Sequence, residues 1–185
     1  FLLVVTIGAP FLLVSASGAT SAVRNAVLDG IEEADRAIRE LKLGSGTTIL
    51  AVEILRGRVR SYHAGDSMAA LIDADGRPRW RTVPHSPVGH AVEAALLDEA
   101  QAIRHPSRHL LTNAIGKREM HVEVGSFLPL TPSDTLILGS DGLFDNLMLS
   151  EIGERVRGRS LTAAVTELIG SATRRMISPD ESNIS

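Results

Sequence analysis

The chain contains no cysteine. That removes thiolate zinc sites, cysteine nucleophiles and disulfides in one step, and it is compatible with a reducing cytoplasm, the expected location. Aromatic residues make up 3 % of the chain, so the core is aliphatic and base-stacking platforms are not expected. Positive charge is not in excess: 19 Lys and Arg against 22 Asp and Glu leave a net charge of −3, which argues against a general nucleic-acid binder. No apolar run is long enough for a membrane span. Residues 1–14 are strongly apolar, but Gly8-Ala9-Pro10 splits them. Ser15-Ala16-Ser17 resembles a cleavage site, yet no basic segment precedes the run. Two strands at 1–6 and 11–14, joined by a turn, are the expectation. Internal repeats, low-complexity segments and internal linkers are also lacking.

What is present is a chain of 185 residues, 44 % apolar and 22 % charged, enough for one domain with a real core. It opens on Phe1 rather than Met and is expected to be a single domain incomplete at both ends. Between 19 and 41, apolar residues at Val23, Ala26, Val27, Ile31, Ala34, Ile38 and Leu41 recur in steps of three and four and predict an amphipathic helix. Arg24, Glu32, Glu33, Asp35, Arg36, Arg39 and Glu40 fall on its other face, taken as solvated. Gly44-Ser45-Gly46 ends it. Strands follow at 47–55, 59–64 and 68–73, with Asp75-Gly76 as a hairpin signal, so this part is an antiparallel meander.

The segment 85–116 differs in texture. It holds Pro87 and Pro106, four histidines (His85, His90, His105, His109) and a helical pattern at 91–102 that includes Asp98 and Glu99. Excursions of this length in a compact domain are usually functional. A zinc cluster from these histidines is disfavoured, because Pro106 interrupts the pair at helix-face spacing, His105 and His109. Strands at 120–124 and 135–139 and helices at 149–156 and 161–176 complete the chain, with Arg174-Arg175 on the solvent side of the last helix. The order predicts an α+β domain with a mostly antiparallel sheet system and helices outside.

Two acidic positions share one design. Gly65-Asp66-Ser67 and Ser140-Asp141-Gly142 each follow an apolar strand and are flanked by glycine and serine. Two strand-end carboxylates can converge on one hard cation such as Mg²⁺ or Mn²⁺. The alternative at Asp141 is a cap for the helix that begins near Leu143. A Ser-His-Asp hydrolase built on Ser67 or Ser140 lacks the Gly-x-Ser-x-Gly pattern.

Gly44-Ser45-Gly46-Thr47-Thr48, Ala64-Gly65-Asp66-Ser67, Leu111-Thr112-Asn113-Ala114-Ile115-Gly116 and Ser140-Asp141-Gly142-Leu143-Phe144-Asp145 stand in an order and spacing that resemble the metal-dependent (PPM, type 2C) Ser/Thr protein phosphatases. The resemblance covers 45 to about 176. It implies an antiparallel β-sandwich flanked by helices on both outer faces, a four-layer αββα arrangement. It implies hydrolysis of phosphoserine and phosphothreonine in proteins by a water activated on two Mn²⁺ or Mg²⁺ ions, with a third, weaker ion. It also implies a signalling role opposite a Ser/Thr kinase, with no nucleic-acid or membrane partner. Asp141 matches the family's metal aspartate and Asp66 the aspartate of the weaker ion. Asn113 and Gly116 fall in a motif of structural role. His105 and Arg108 fall on the flap side, where substrate would lie.

The pattern is departed from twice. An Asp-Gly pair is expected after the early apolar strand, but Ser17 precedes Gly18. A late aspartate is expected before Asn183-Ile184, but Ser182 stands there and Asp180 lies two residues early. Gly18 keeps its place in the family's pattern and Asp180 is the nearby substitute, so both are expected as metal positions through the resemblance. Missing loop residues, a true loss of the dimetal centre, or a substitute role for Asp180 each account for the departures. A catalytically inactive member that binds phosphoproteins is the alternative function.

Overall fold

The structure, a computed structural model, describes residues 2–4 and 20–177. The expected strand at 11–14 and the positions Ser17, Gly18, Asp180 and Ser182 lie outside the described residues.

Two four-stranded sheets pack face to face. The first has the order β1 (Leu2–Val4), β8 (Thr135–Gly139), β4 (Met68–Ile72), β5 (Pro78–Arg81). The second is built on β3 (Arg58–Ala64), which pairs with β2 (Ile49–Leu55) on one edge. Two short strands, β6 (Glu123–Val124) and β7 (Leu128–Pro129), share its other edge. Among the described residues, all pairings are antiparallel except β1 with β8, which is parallel. That exception was not legible in the pattern, because the partners lie far apart in sequence.

Alternation along the strands sorts the side chains into three apolar layers. Ala69, Leu71, Leu136 and Leu138 of the first sheet meet Leu50, Val52 and Val59 of the second. On the far face of the first sheet, Ala70, Ile72 and Ile137 pack against α5 (Leu149–Val156) and α6 (Leu161–Ile177) through Ile152, Val156, Ala164, Leu168 and Ala172. On the far face of the second, Tyr62 and Ala64 pack against Ile31 of α1 (Thr20–Glu40), with Val27, Ala34 and Ile38 alongside. Helix, sheet, sheet, helix is the four-layer order implied by the resemblance.

One expectation about surfaces is corrected. Asp35 is not on a solvated face: it is 4 % exposed, and its Oδ1 accepts from Gly116 N–H at 2.7 Å. Its other oxygen pairs with Arg39 at 3.0 Å, so one carboxylate ties α1 to the loop that ends the excursion. Arg174 and Arg175 are exposed, as expected of the solvent side of the helix, and Arg175 also reaches back to the loop and helix before it. It ties α6 to Glu151 at 2.5 Å and to the Asn146 carbonyl at 2.8 Å.

The helical pattern at 91–102 becomes two helices, α2 (Pro87–Glu93) and α3 (Glu99–Arg104). Ser86 caps α2 by accepting from Gly89 N–H, with Pro87 in its first turn. Ala95 takes φ +55, which no helix interior tolerates, and Asp98 restarts the chain with a capping box to Gln101. Glu99 then accepts from Leu149 N–H at 3.1 Å and ties the excursion to α5.

Candidate active site

Strand register brings the two aspartates together. In the antiparallel pair β4–β8, Met68 stands opposite Gly139. Asp66 lies two residues before the start of β4 and Asp141 two residues after the end of β8, so both occupy the same end of the sheet. Asp141 opens the short helix α4 (Asp141–Phe144) and Ser140 holds the cap position, so the cap reading of Asp141 is not what the fold adopts. Asp141 Oδ1 accepts from Gly142 N–H at 2.7 Å. One helical turn on, at the i+4 spacing that shares a face, stands Asp145. It lies inside the motif read from the sequence but was given no role there.

Asp66 and Asp145 both feel the charge of Asp141. Burial raises the Asp66 carboxyl above the usual range, and the charge of Asp141 raises it further. Asp145 is pushed up to about 7 by burial first and then by Asp141, with Arg108 opposing and Asp66 adding to the rise. Clustered acids with perturbed affinity for protons mark a functional site more often than a structural one. Arg108 Nε and His109 Nδ1 each lie 3.7 Å from Asp145 Oδ2. Arg108 Nε is buried with no hydrogen-bond partner among the described residues. Arg108 lines a cavity together with Asp66, Asp141 and Asp145, and the apolar Val88, Val92, Ile103 and Phe144 line the same cavity.

The other sequence-derived positions separate. His105 does not line this cavity; its Nδ1 accepts from Ser107 N–H within its own turn. Asn113 is buried and pairs both its amide atoms with the backbone of His121: Nδ2 donates to the carbonyl at 2.7 Å and Oδ1 accepts from N–H at 3.2 Å. Gly116 takes φ +84, as its turn requires.

The histidines do converge, but not the set weighed from the sequence. His63, His85 and Glu123 place one ligating atom each within 4.8 Å of one another. The tautomer of His85 excludes it as a ligand there. Its Nδ1 accepts from Gly65 N–H at 3.0 Å, and a backbone amide can only donate. The proton of the neutral ring therefore sits on Nε2 and faces Glu123 Oε2 at 3.2 Å, leaving no lone pair for an ion. Burial lowers the proton affinity of both His63 and His85, which keeps the rings neutral.

A central pair of mostly antiparallel sheets, helices on both faces and strand-end aspartates gathered at a cavity define an α+β sandwich with a candidate cation site at one end of its first sheet. No protein-family model matches the chain. Protein phosphatase PhpP of Streptococcus pneumoniae is 32 % identical over 127 residues, which are 68 % of this chain and 51 % of that protein. The serine/threonine phosphatase of S. agalactiae is 31 % identical with a TM-score of 0.74, covering 85 % of this chain and 67 % of that structure. The PPM Ser-Thr phosphatase MsPP of Mycobacterium smegmatis is 30 % identical with a TM-score of 0.71, covering 82 % and 68 %. The chain belongs to the PPM, type 2C, family of Ser/Thr protein phosphatases. It spans about half the length of the curated relatives it matches.

Proposed function

We propose that this protein is a metal-dependent phosphatase that hydrolyses phosphoserine and phosphothreonine in proteins. The observation that carries this reading is the convergence of Asp66, Asp141 and Asp145 at one end of the first sheet, in a cavity shared with Arg108. The donor set fits a hard dication: all three ligands are carboxylates, and their mutual repulsion is what such an ion would relieve. Asp141 is the central ligand and Asp66 an auxiliary, weaker one, with Asp145 beside them. Two or three Mn²⁺ or Mg²⁺ ions remain the expectation, and Gly18 and Asp180, which lie outside the described residues, are proposed as further metal positions.

When bound, such ions supply Lewis-acid chemistry and lower the pKa of water. The chain's own contributions are distinct. Arg108 offers a guanidinium fork to phosphoryl oxygens, with its Nε buried and otherwise unsatisfied. Asp145 holds a proton up to about pH 7, so its entry as a ligand competes with protonation below that value. The apolar wall at Val88 and Phe144 limits water around the reacting group. A cognate Ser/Thr kinase and a cytoplasmic location belong to the same reading and rest on the family alone.

The test is phosphopeptide hydrolysis with and without Mn²⁺. Metal-dependent release of phosphate is expected. Tight phosphopeptide binding with no release would replace the enzyme by the inactive binding module.

A further inference from the structure

We propose that His85 is a positioning residue for the aspartate site: it clamps both backbone groups of Gly65 and so sets the turn from which Asp66 projects. This rests on the reading of Asp66 as a metal ligand.

Gly65 is held at two points by the same residue. Its N–H donates to His85 Nδ1 at 3.0 Å, and its carbonyl accepts from His85 N–H at 3.0 Å. Gly65 adopts φ +118, and a Cβ there would collide with Thr48, so the turn is a glycine-only conformation pressed against a neighbouring side chain. Asp66 follows directly. A backbone this constrained persists only where its surroundings over-determine it, and here one residue holds both groups, the N–H through its imidazole and the carbonyl through its own N–H.

The imidazole is itself fixed on every side. His85 is 2 % exposed, stacks on His63 with centroids 4.5 Å apart, and faces Glu123 through Nε2. Its Nδ1 takes a second donor, Asn113 Nδ2, at 2.9 Å. The orientation of that amide is fixed, because the His121 N–H can only donate, to Asn113 Oδ1, and the His121 carbonyl can only accept, from Asn113 Nδ2. Thr112 N–H donates to the His85 carbonyl at 2.9 Å. The excursion therefore leaves the sandwich at His85 and returns at Thr112-Asn113, and its neck is tied through one ring to Gly65. The excursion that carries Arg108 and the strand end that carries Asp66 share a single joint.

What the joint needs is an acceptor at the Nδ1 position. Asparagine places its Oδ1 there, as many bonds from Cα as Nδ1 is. Glutamine places its amide at the Nε2 position instead. His85→Asn and His85→Gln are therefore similar in burial and polarity but opposite in consequence.

The experiment measures hydrogen exchange of the Gly65 amide in ¹⁵N-labelled protein, and Mn²⁺ binding by paramagnetic broadening without substrate. The wild type, His85→Asn, His85→Gln and Asp66→Ala are compared. His85→Gln is expected to lose protection at Gly65 and to weaken the Asp66-dependent Mn²⁺ step by about 10- to 100-fold, the usual cost of removing a group that orients a ligand. His85→Asn should keep both within about threefold, since one hydrogen bond is replaced by another. Asp66→Ala should weaken the same Mn²⁺ step while leaving Gly65 protected. If Asp66→Ala leaves Mn²⁺ binding unchanged, the metal reading falls and takes this proposal with it. If Asp66→Ala weakens binding and His85→Gln does not, or if both His85 variants fail equally, the His85 proposal alone is overturned. The wild type supplies a check that needs no variant. The imidazole ¹⁵N spectrum must show His85 protonated on Nε2 and accepting at Nδ1, and the opposite tautomer would overturn the clamp.

Discussion

Asp145→Asn is expected to stabilise the metal-free protein above neutral pH. The Asp145 carboxyl titrates at about 7 in the folded protein against an ordinary value of 3.8. The folded state therefore binds the proton more tightly than the unfolded state does. The stability this provides is fully present below about pH 4, is lost as pH rises toward 7, and is gone above it. At about 1.4 kcal/mol per pKa unit the whole difference is on the order of 4 kcal/mol, an upper value because carboxylates in an open cavity are partly rehydrated. Asparagine keeps the shape and cannot ionise. Denaturant unfolding in EDTA at pH 5 and pH 8 is the assay. The advantage of Asp145→Asn over wild type should widen by about 2 kcal/mol between the two conditions. Saturating Mn²⁺ should shrink or invert that advantage, since ligation stabilises only the protein that retains the carboxylate. An advantage that does not grow with pH, or a variant less stable than wild type at pH 8 in EDTA, would refute the account of three mutually repelling carboxylates.

Asp141→Ala should abolish tight Mn²⁺ binding, whereas Asp66→Ala should lower turnover and leave tight binding largely intact; equal loss in both, measured by calorimetry, contradicts the roles assigned. Gly65→Ala should cost about 3 kcal/mol or more in denaturant unfolding, because φ +118 is closed to a side chain and Thr48 occupies the space. Glu53→Ala should cost on the order of 3 kcal/mol, because it strands a half-buried Arg60 that now pairs with the buried carboxylate at 2.6 Å. The same change should lower the Tyr62 hydroxyl from about 12, a value set by burial first and then by its 2.7 Å bond to Glu53, and ultraviolet titration would read it.

Much of the local structure was legible in the sequence. The strand Thr135–Gly139 and the helix Leu149–Val156 lie where the apolar pattern puts them, and α1 differs by a residue at each end. What failed did so for reasons outside a periodicity. The pattern at 91–102 spans two helices because one alanine takes a left-handed conformation and Asp98 begins again as a cap. The strand Leu128–Pro129 was not expected, since proline in a short edge strand leaves almost no alternation to read. Asp35 was placed in solvent by helical phase, yet a loop eighty-one residues away covers it and donates to it. His85 was read as one histidine among four in a surface excursion and proved to be its buried neck.

The sequence by itself determined that Asp66 and Asp141 end strands, that a glycine beside each permits a turn, and that the motifs follow one family's order. Those are local properties, set by alternation and by the conformational freedom of single residues. Only the tertiary structure decided that the two strand ends are the same end. Met68 pairs with Gly139 because Ala70, Ile72 and Ile137 must face the helices while Ala69, Leu71 and Leu138 face the other sheet. A slip of one residue would turn both faces inside out. Mutual electrostatic influence among Asp66, Asp141 and Asp145 depends on distance and dielectric, and no sequence spacing carries either.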